Sequence, residues 1–164
     1  LSFITGTPLP LAIVESCSMY HKGNLLSTFD SWFERHDPKY SDFNVDKEEF
    51  EDFRFKNGLN KGDILFVIGA NTKKLDVGDT IIFNAQQRNP IIHRIIEIKE
   101  TEEGRIFSTI GDNNNGQLSF EDGIREEQII GKPVLKIAPY LGWIKLMFFE
   151  SFKSPQDRGF CKEN

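Results

Sequence analysis

From Gly58 to Ile137 the chain repeats one arrangement, a turn-forming stretch followed by a short run of β-branched and aromatic residues. Lys61-Gly62-Asp63 leads into Ile64-Leu65-Phe66-Val67-Ile68, and Val77-Gly78-Asp79 leads into Thr80-Ile81-Ile82-Phe83. Pro90 opens Ile91-Ile92-His93-Arg94-Ile95-Ile96-Glu97-Ile98, in which apolar residues fall on both faces around a central His-Arg pair. Ile106 to Ile110 ends at the polar turn Gly111-Asp112-Asn113-Asn114-Asn115-Gly116, and a last run covers Ile129 to Ile137. Gly, Asp and Asn bound such runs because they tolerate turn backbone angles and bond their own main chain. Many short strands at this spacing predict a mainly β chain, a coiled antiparallel sheet or barrel. Leu11 to Val14 adds one more expected strand upstream.

Residues 24 to 56 break the pattern, being acidic, aromatic and helical in periodicity. Phe29, Trp32 and Phe33 recur at helical spacing, and Asp46 with Glu49 forms a capping-box pattern before Phe50 and Phe53. Pro38 is expected to separate two helices. The segment reads as a small helical insertion held down by its aromatics. With 164 residues, 38% hydrophobic and 15 of them Phe, the chain has material for one buried core. Residues 1–150 are expected to form that domain, with a loose polar tail at 151–164.

Several classes drop out. A net charge of -5 without a concentrated basic stretch disfavours a nucleic-acid groove. Cys17 and Cys161 lie near opposite ends, so no disulfide framework is expected, and no Cys/His cluster has zinc spacing. No metal or cofactor is called for. Leu1 to Val14 is uncharged but carries Pro8 and Pro10 and falls short of the ~20 residues that span a bilayer. It also lacks the basic start and small-x-small cleavage site of a secretory signal. The apolar run Ile137 to Phe149 is broken by Lys145 and is also short.

Three residues with acid-base or nucleophilic chemistry remain: Ser18 after a strand, His93 within one, and Asp112 at the end of one. Acyl transfer by serine needs a hydroxyl, a base for its proton and a carboxylate to orient that base, converging in space whatever their order. Spacing alone leaves the trio weak, since any chain of this size has a Ser, a His and an Asp. Cys17 is an alternative nucleophile, although a strand would turn it away from Ser18. His21 and His36 are expected at the surface, Asp63 and Asp79 in turns, and Arg94 facing away from His93 against an acid.

The flanking residues carry more. Ser16-Cys17-Ser18-Met19 resembles the Ser-x-Ser-Met box of type I signal peptidases. Gly78-Asp79-Thr80-Ile81-Ile82-Phe83 with Ile92-His93-Arg94 resembles the next boxes, in the archaeal and endoplasmic-reticulum-type variant that has histidine where bacterial enzymes have lysine. Gly111-Asp112-Asn113-Asn114 is similar to the following Gly-Asp-Asn box, and Gly131-Lys132-Pro133-Val134 with Pro139-Tyr140-Leu141-Gly142-Trp143 to the closing segment. The boxes occur in family order over roughly residues 7–23 and 58–146. Cys17 stands where the family usually has Gly. The family's second aspartate after Gly-Asp-Asn has no match at the usual spacing; Glu121 and Asp122 come next, and Asp122 is the closer chemical match.

The resemblance implies a signal-peptidase-type coiled antiparallel β domain with a helical insertion at about 24–56, and a serine endopeptidase that removes signal peptides from secreted preproteins. Ser18 would be the nucleophile, His93 the general base, and Asp112 or secondarily Asp122 the orienting carboxylate. The Ser18 main-chain N–H and the Ser16 hydroxyl would form the oxyanion hole. Substrate would pair as an extended strand beside Glu15, Ser16 and Cys17. A membrane helix upstream of Leu1 would anchor the domain on the extracytoplasmic face. The rival readings are a non-catalytic β-barrel interaction module and a self-cleaving repressor-type serine protease of the same fold.

Overall fold

The computed structural model describes residues 2–23, 29–155 and 158–164. A short helix, α1 (Ser2–Thr5), precedes β1 (Leu11–Ile13). The insertion follows as α2 (Phe29–Ser41) and α3 (Lys47–Asp52); its first residues, 24–28, lie outside the described residues. Then come β2 (Ile64–Ile68), β3 (Thr80–Phe83), β4 (Ile91–Thr101), β5 (Gly104–Ile110), β6 (Ile124–Arg125), β7 (Ile129–Ala138) and α4 (Trp143–Phe149). The seven strands form one sheet in the order β1-β2-β7-β3-β4-β5-β6, every pair antiparallel. It curls into half a barrel, as the mainly β expectation required.

The turns do what their residues suggest. Asp63 Oδ2 accepts from Asn60 N at 2.8 Å and Asp79 Oδ2 from Asp76 N at 3.1 Å. Gly62 and Gly78 take φ of +92° and +91°, a region costly for residues with a Cβ. A Cβ on Gly78 would also lie 2.2 Å from the Phe53 ring, so this turn needs glycine twice over. Register shifts in the β2–β7, β3–β7 and β4–β5 ladders mark bulges, the usual device for bending a sheet.

Three apolar clusters divide the core. Val14, Met19, Leu59, Leu65, Val67 and Ile82 pack under the start of the chain. Leu75, Ile81, Phe83, Ile95, Phe107 and Ile124 fill one side of β3–β6. Phe29, Trp32, Phe33, Tyr40, Val45 and Phe50 of the insertion pack with Ile96 and Ile110 of the sheet. The aromatics therefore fasten the insertion to the domain, as expected. Asp46 caps α3, accepting from Glu49 N at 2.8 Å.

Three expectations need correction. Pro38 lies inside α2 and does not end it; the break falls between Ser41 and Lys47. Contacts on both sides of Pro38 outweigh the local preference, since Trp32 and Phe33 before it and Tyr40 after it share one cluster. Cys17 and Cys161 form a disulfide across a separation of 144 residues. That bond, with those of Asn113 to Lys162 and Asn164, ties residues 158–164 of the tail, expected loose, to the domain. Among the described residues no helix is long and apolar enough to cross a membrane.

Candidate active site

The Ser16–Ser18 turn follows directly from β1, the end strand of the sheet. Val14 N donates to Asp63 O at 2.9 Å and Gly62 N to Val14 O at 2.8 Å, so the strand is held until the turn begins. Beyond it, Leu59 N donates to Met19 O at 2.7 Å, and Met19 is fully buried. The turn is thus anchored on both sides while Ser16 is exposed and Ser18 partly buried. Their hydroxyls share a hydrogen bond of 3.1 Å. Glu15 reaches outward to Asn89 at 3.3 Å and toward Lys145 at 3.7 Å, and its carbonyl accepts from Lys153 Nζ at 3.1 Å. Cys17 is held in the disulfide, so it offers no free thiolate as a nucleophile.

His93 sits in β4 opposite Ile81 of β3, and is buried. Its Nδ1 meets Glu121 Oε1, and the Phe83 ring stands edge-on at 6.5 Å. Glu121 is fully buried in the turn after the Gly-Asp-Asn stretch. There its other oxygen accepts from Leu118 N at 2.5 Å, and its carbonyl accepts from Thr109 N of β5 at 2.8 Å. A carboxylate on Nδ1 leaves Nε2 as the nitrogen available for proton transfer. Ile92, beside His93, packs against the cluster that holds Val14 and Met19. Among the described residues no hydrogen bond joins Ser18 to His93, and Ser18 Oγ is instead paired with Ser16.

Arg94 points the other way from β4, as alternation demands. It grips Asp112 with Nε–Oδ1 at 3.0 Å and Nη2–Oδ2 at 2.7 Å. Its remaining N–H groups go to the carbonyls of Arg54, Phe55 and Gly78. Asp112 also accepts from Tyr40 Oη at 2.9 Å and from His21 Nε2 at 2.9 Å. Burial alone would raise its carboxyl, but the Arg94 charge and the His21 hydrogen bond outweigh that and hold it well below the usual carboxylate range. Hence Asp112, expected to orient His93, is committed to the opposite side of β4.

Asp122, the secondary expectation, is exposed and accepts from Ser108 Oγ at 2.6 Å. The acid brought to His93 is its neighbour Glu121. His21, expected at the surface, is buried and stacked on Trp32 with ring centroids 3.4 Å apart. Burial pushes its imidazole down to about 4, so it is neutral near pH 7 and donates Nε2–H to Asp112. His36 bonds Trp32 O and also stacks on the indole. Lys39 of α2 was missed as well: its Nζ donates to Asp112 O at 2.5 Å and Asn114 O at 2.9 Å, and burial lowers its pKa to about 8. Among the described residues no cluster of His, Cys, Asp and Glu is arranged to hold a metal.

No protein-family model matches the chain. It is similar to the signal peptidase complex catalytic subunit SEC11C of Homo sapiens, 27% identical over 96 residues, 54% of this chain and 50% of that protein. The SEC11 subunit of Yarrowia lipolytica is 30% identical over 98 residues, 56% of each chain. That of Penicillium rubens is 30% identical over 99 residues, 56% of this chain and 55% of the other. The chain spans about half the length of the curated relatives it matches.

Proposed function

We propose, on the premise that the matched segment belongs to the type I signal-peptidase-like family, that this chain is a serine endopeptidase domain cleaving signal peptides from secretory preproteins. The observation that carries the reading is the buried His93–Glu121 pair, on the strand whose Ile92 packs against the cluster holding Val14 and Met19, the residues flanking the Ser18 turn.

Ser18 Oγ attacks the scissile carbonyl while His93 Nε2 takes its proton; the same nitrogen then protonates the departing amine. Glu121 holds the imidazole in the tautomer that leaves Nε2 unprotonated and stabilises the cation formed during transfer. Asp112 buttresses the site from behind, through His21, Arg94 and Tyr40. The Ser18 N–H and the Ser16 hydroxyl receive the oxyanion; for the latter, the Ser16–Ser18 hydrogen bond must give way as substrate enters. An extended substrate adds beside β1, an end strand, and runs along Glu15, Ser16 and Cys17. Small side chains at the first and third positions before the cut are selected by shallow pockets there.

A membrane helix upstream of Leu1 would set the domain on the extracytoplasmic face. The Cys17–Cys161 disulfide supports that placement, because such bonds persist in oxidising compartments. The test is cleavage of a preprotein in detergent by the full-length protein. Ser18→Ala and His93→Ala should each lower the rate by about 10³-fold or more. Full activity in Ser18→Ala would remove the mechanism.

A further inference from the structure

The residues on either side of the Ser18 hydroxyl are held by a part of the chain that belongs to no strand. Residues 158–164 lie against the back of the Ser16–Ser18 turn, joined to it covalently by Cys17–Cys161. Asn113 knits the two together. Its side-chain amide donates to Cys17 O at 3.0 Å and to Lys162 O at 2.9 Å, while its main-chain N–H donates to Ser18 O at 2.7 Å. Asn164 returns two bonds, N to Asn113 Oδ1 at 3.1 Å and Nδ2 to Asn113 O at 2.9 Å. Farther out, Gly159 O accepts from Lys61 Nζ at 3.1 Å, the Phe160 and Trp143 rings stand 4.9 Å apart, and Glu163 pairs with Arg35 of α2 at 2.9 Å.

The turn itself has little regular support. Between the anchored Val14 and Met19, residues 15–18 belong to no strand or helix, and the main-chain bond across the turn runs from Tyr20 N to Cys17 O. The carbonyls of Cys17 and Ser18 both go to Asn113, and Asn113 is steadied by the tail. A nucleophile displaced by about 1 Å loses on the order of 10² in rate, so whatever fixes this turn sets the reaction.

We propose that residues 158–164 are a covalent latch on the nucleophile turn, with Cys17, Cys161 and Asn113 as positioning residues, and that a dithiol reductant switches the enzyme to a slow form. The inference rests on the peptidase reading above. In the switching step the dithiol supplies two electrons and two protons, the Cys17–Cys161 bond breaks to two thiols, and the reductant leaves as its own disulfide. The latch closes again when a disulfide oxidant takes those electrons back. Cys17 is therefore not dispensable.

The test runs on the full-length protein, oxidised and after dithiothreitol, with two readouts. Hydrogen exchange should rise at least about tenfold for amides 17–20 and 113, while β4 and β5 stay protected. Preprotein cleavage should lose about 10- to 100-fold in kcat, with KM changed less than about twofold, and should recover on reoxidation with oxidised glutathione. Cys161→Ser should match the reduced wild type and ignore dithiothreitol; if that variant does not fold, the reductant titration of the wild type still decides. Unchanged exchange on reduction overturns the latch. So do β4 and β5 that open as readily as amides 17–20, which means general unfolding. Faster or unchanged cleavage after reduction overturns the positioning role. An oxidised protein that cleaves nothing, yet shows the local rise in exchange, keeps the latch and removes the peptidase reading.

Discussion

At residue scale, His21 illustrates how burial decides a protonation state. In the unfolded chain its imidazole takes a proton near 6.5, while in the folded protein it refuses one until about 4. As pH falls the unfolded state binds the proton first, so stability present above pH 6.5 is lost progressively between about 6.5 and 4. The loss amounts to about 3 kcal/mol. His36, also lowered by burial, contributes with the same sign. Denaturant midpoints measured across that range should decline, and His21→Gln should flatten the decline; an equal slope in the variant would remove His21 as its source. Glu121 makes a separate claim. Glu121→Gln should reduce kcat by about 10³–10⁴-fold by spoiling the His93 tautomer, whereas Asp122→Asn should leave it nearly intact. Ser16, Ser18 and His93 stood out in the sequence because each sits in a distinctive short motif. That Glu121 and not Asp122 meets His93 could not be read there, because neighbouring residues in a turn point in directions that only the folded backbone sets. His21 was misjudged for a related reason: the chain turns at Cys17–Tyr20, so strand alternation does not extend to it.

Among the elements, the insertion is the one whose removal from the site would be felt at a distance. Trp32 is fully buried and stacks with two imidazoles, and Tyr40 spans from α2 to Asp112. Trp32→Ala should cost about 3–5 kcal/mol in equilibrium unfolding. Tyr40→Phe should cost only about 1 kcal/mol, because Arg94 and His21 continue to satisfy Asp112. A Tyr40→Phe loss as large as that of Trp32→Ala would show that Asp112 depends on the helix. Apart from the two-residue β6, the strands were readable to within a few residues of their ends, since β-branched runs bounded by turn residues leave few alternatives. α2 was readable as a helix but not in extent, because its continuation past Pro38 depends on packing against Ile96 and Ile110, far along the chain.

On the scale of the whole molecule, the disulfide matters most and was the least legible feature. Two cysteines separated by 144 residues carry no local pattern; only the sheet that brings β1 to one edge and the tail across it makes them neighbours. Reducing the bond frees the unfolded chain of a cross-link over 144 residues and should drop the thermal midpoint, yet at about 25 °C β4 and β5 should remain the slowest-exchanging strands. Apolar side chains such as Leu135, Ile144, Met147, Phe148 and Phe152 are exposed along β7, α4 and the turn beyond it. The bond also makes a ring of residues 17–161. A single main-chain cut anywhere between Cys17 and Cys161 therefore opens the ring without parting the pieces. Such nicked molecules run on a denaturing gel as one species until a thiol is added.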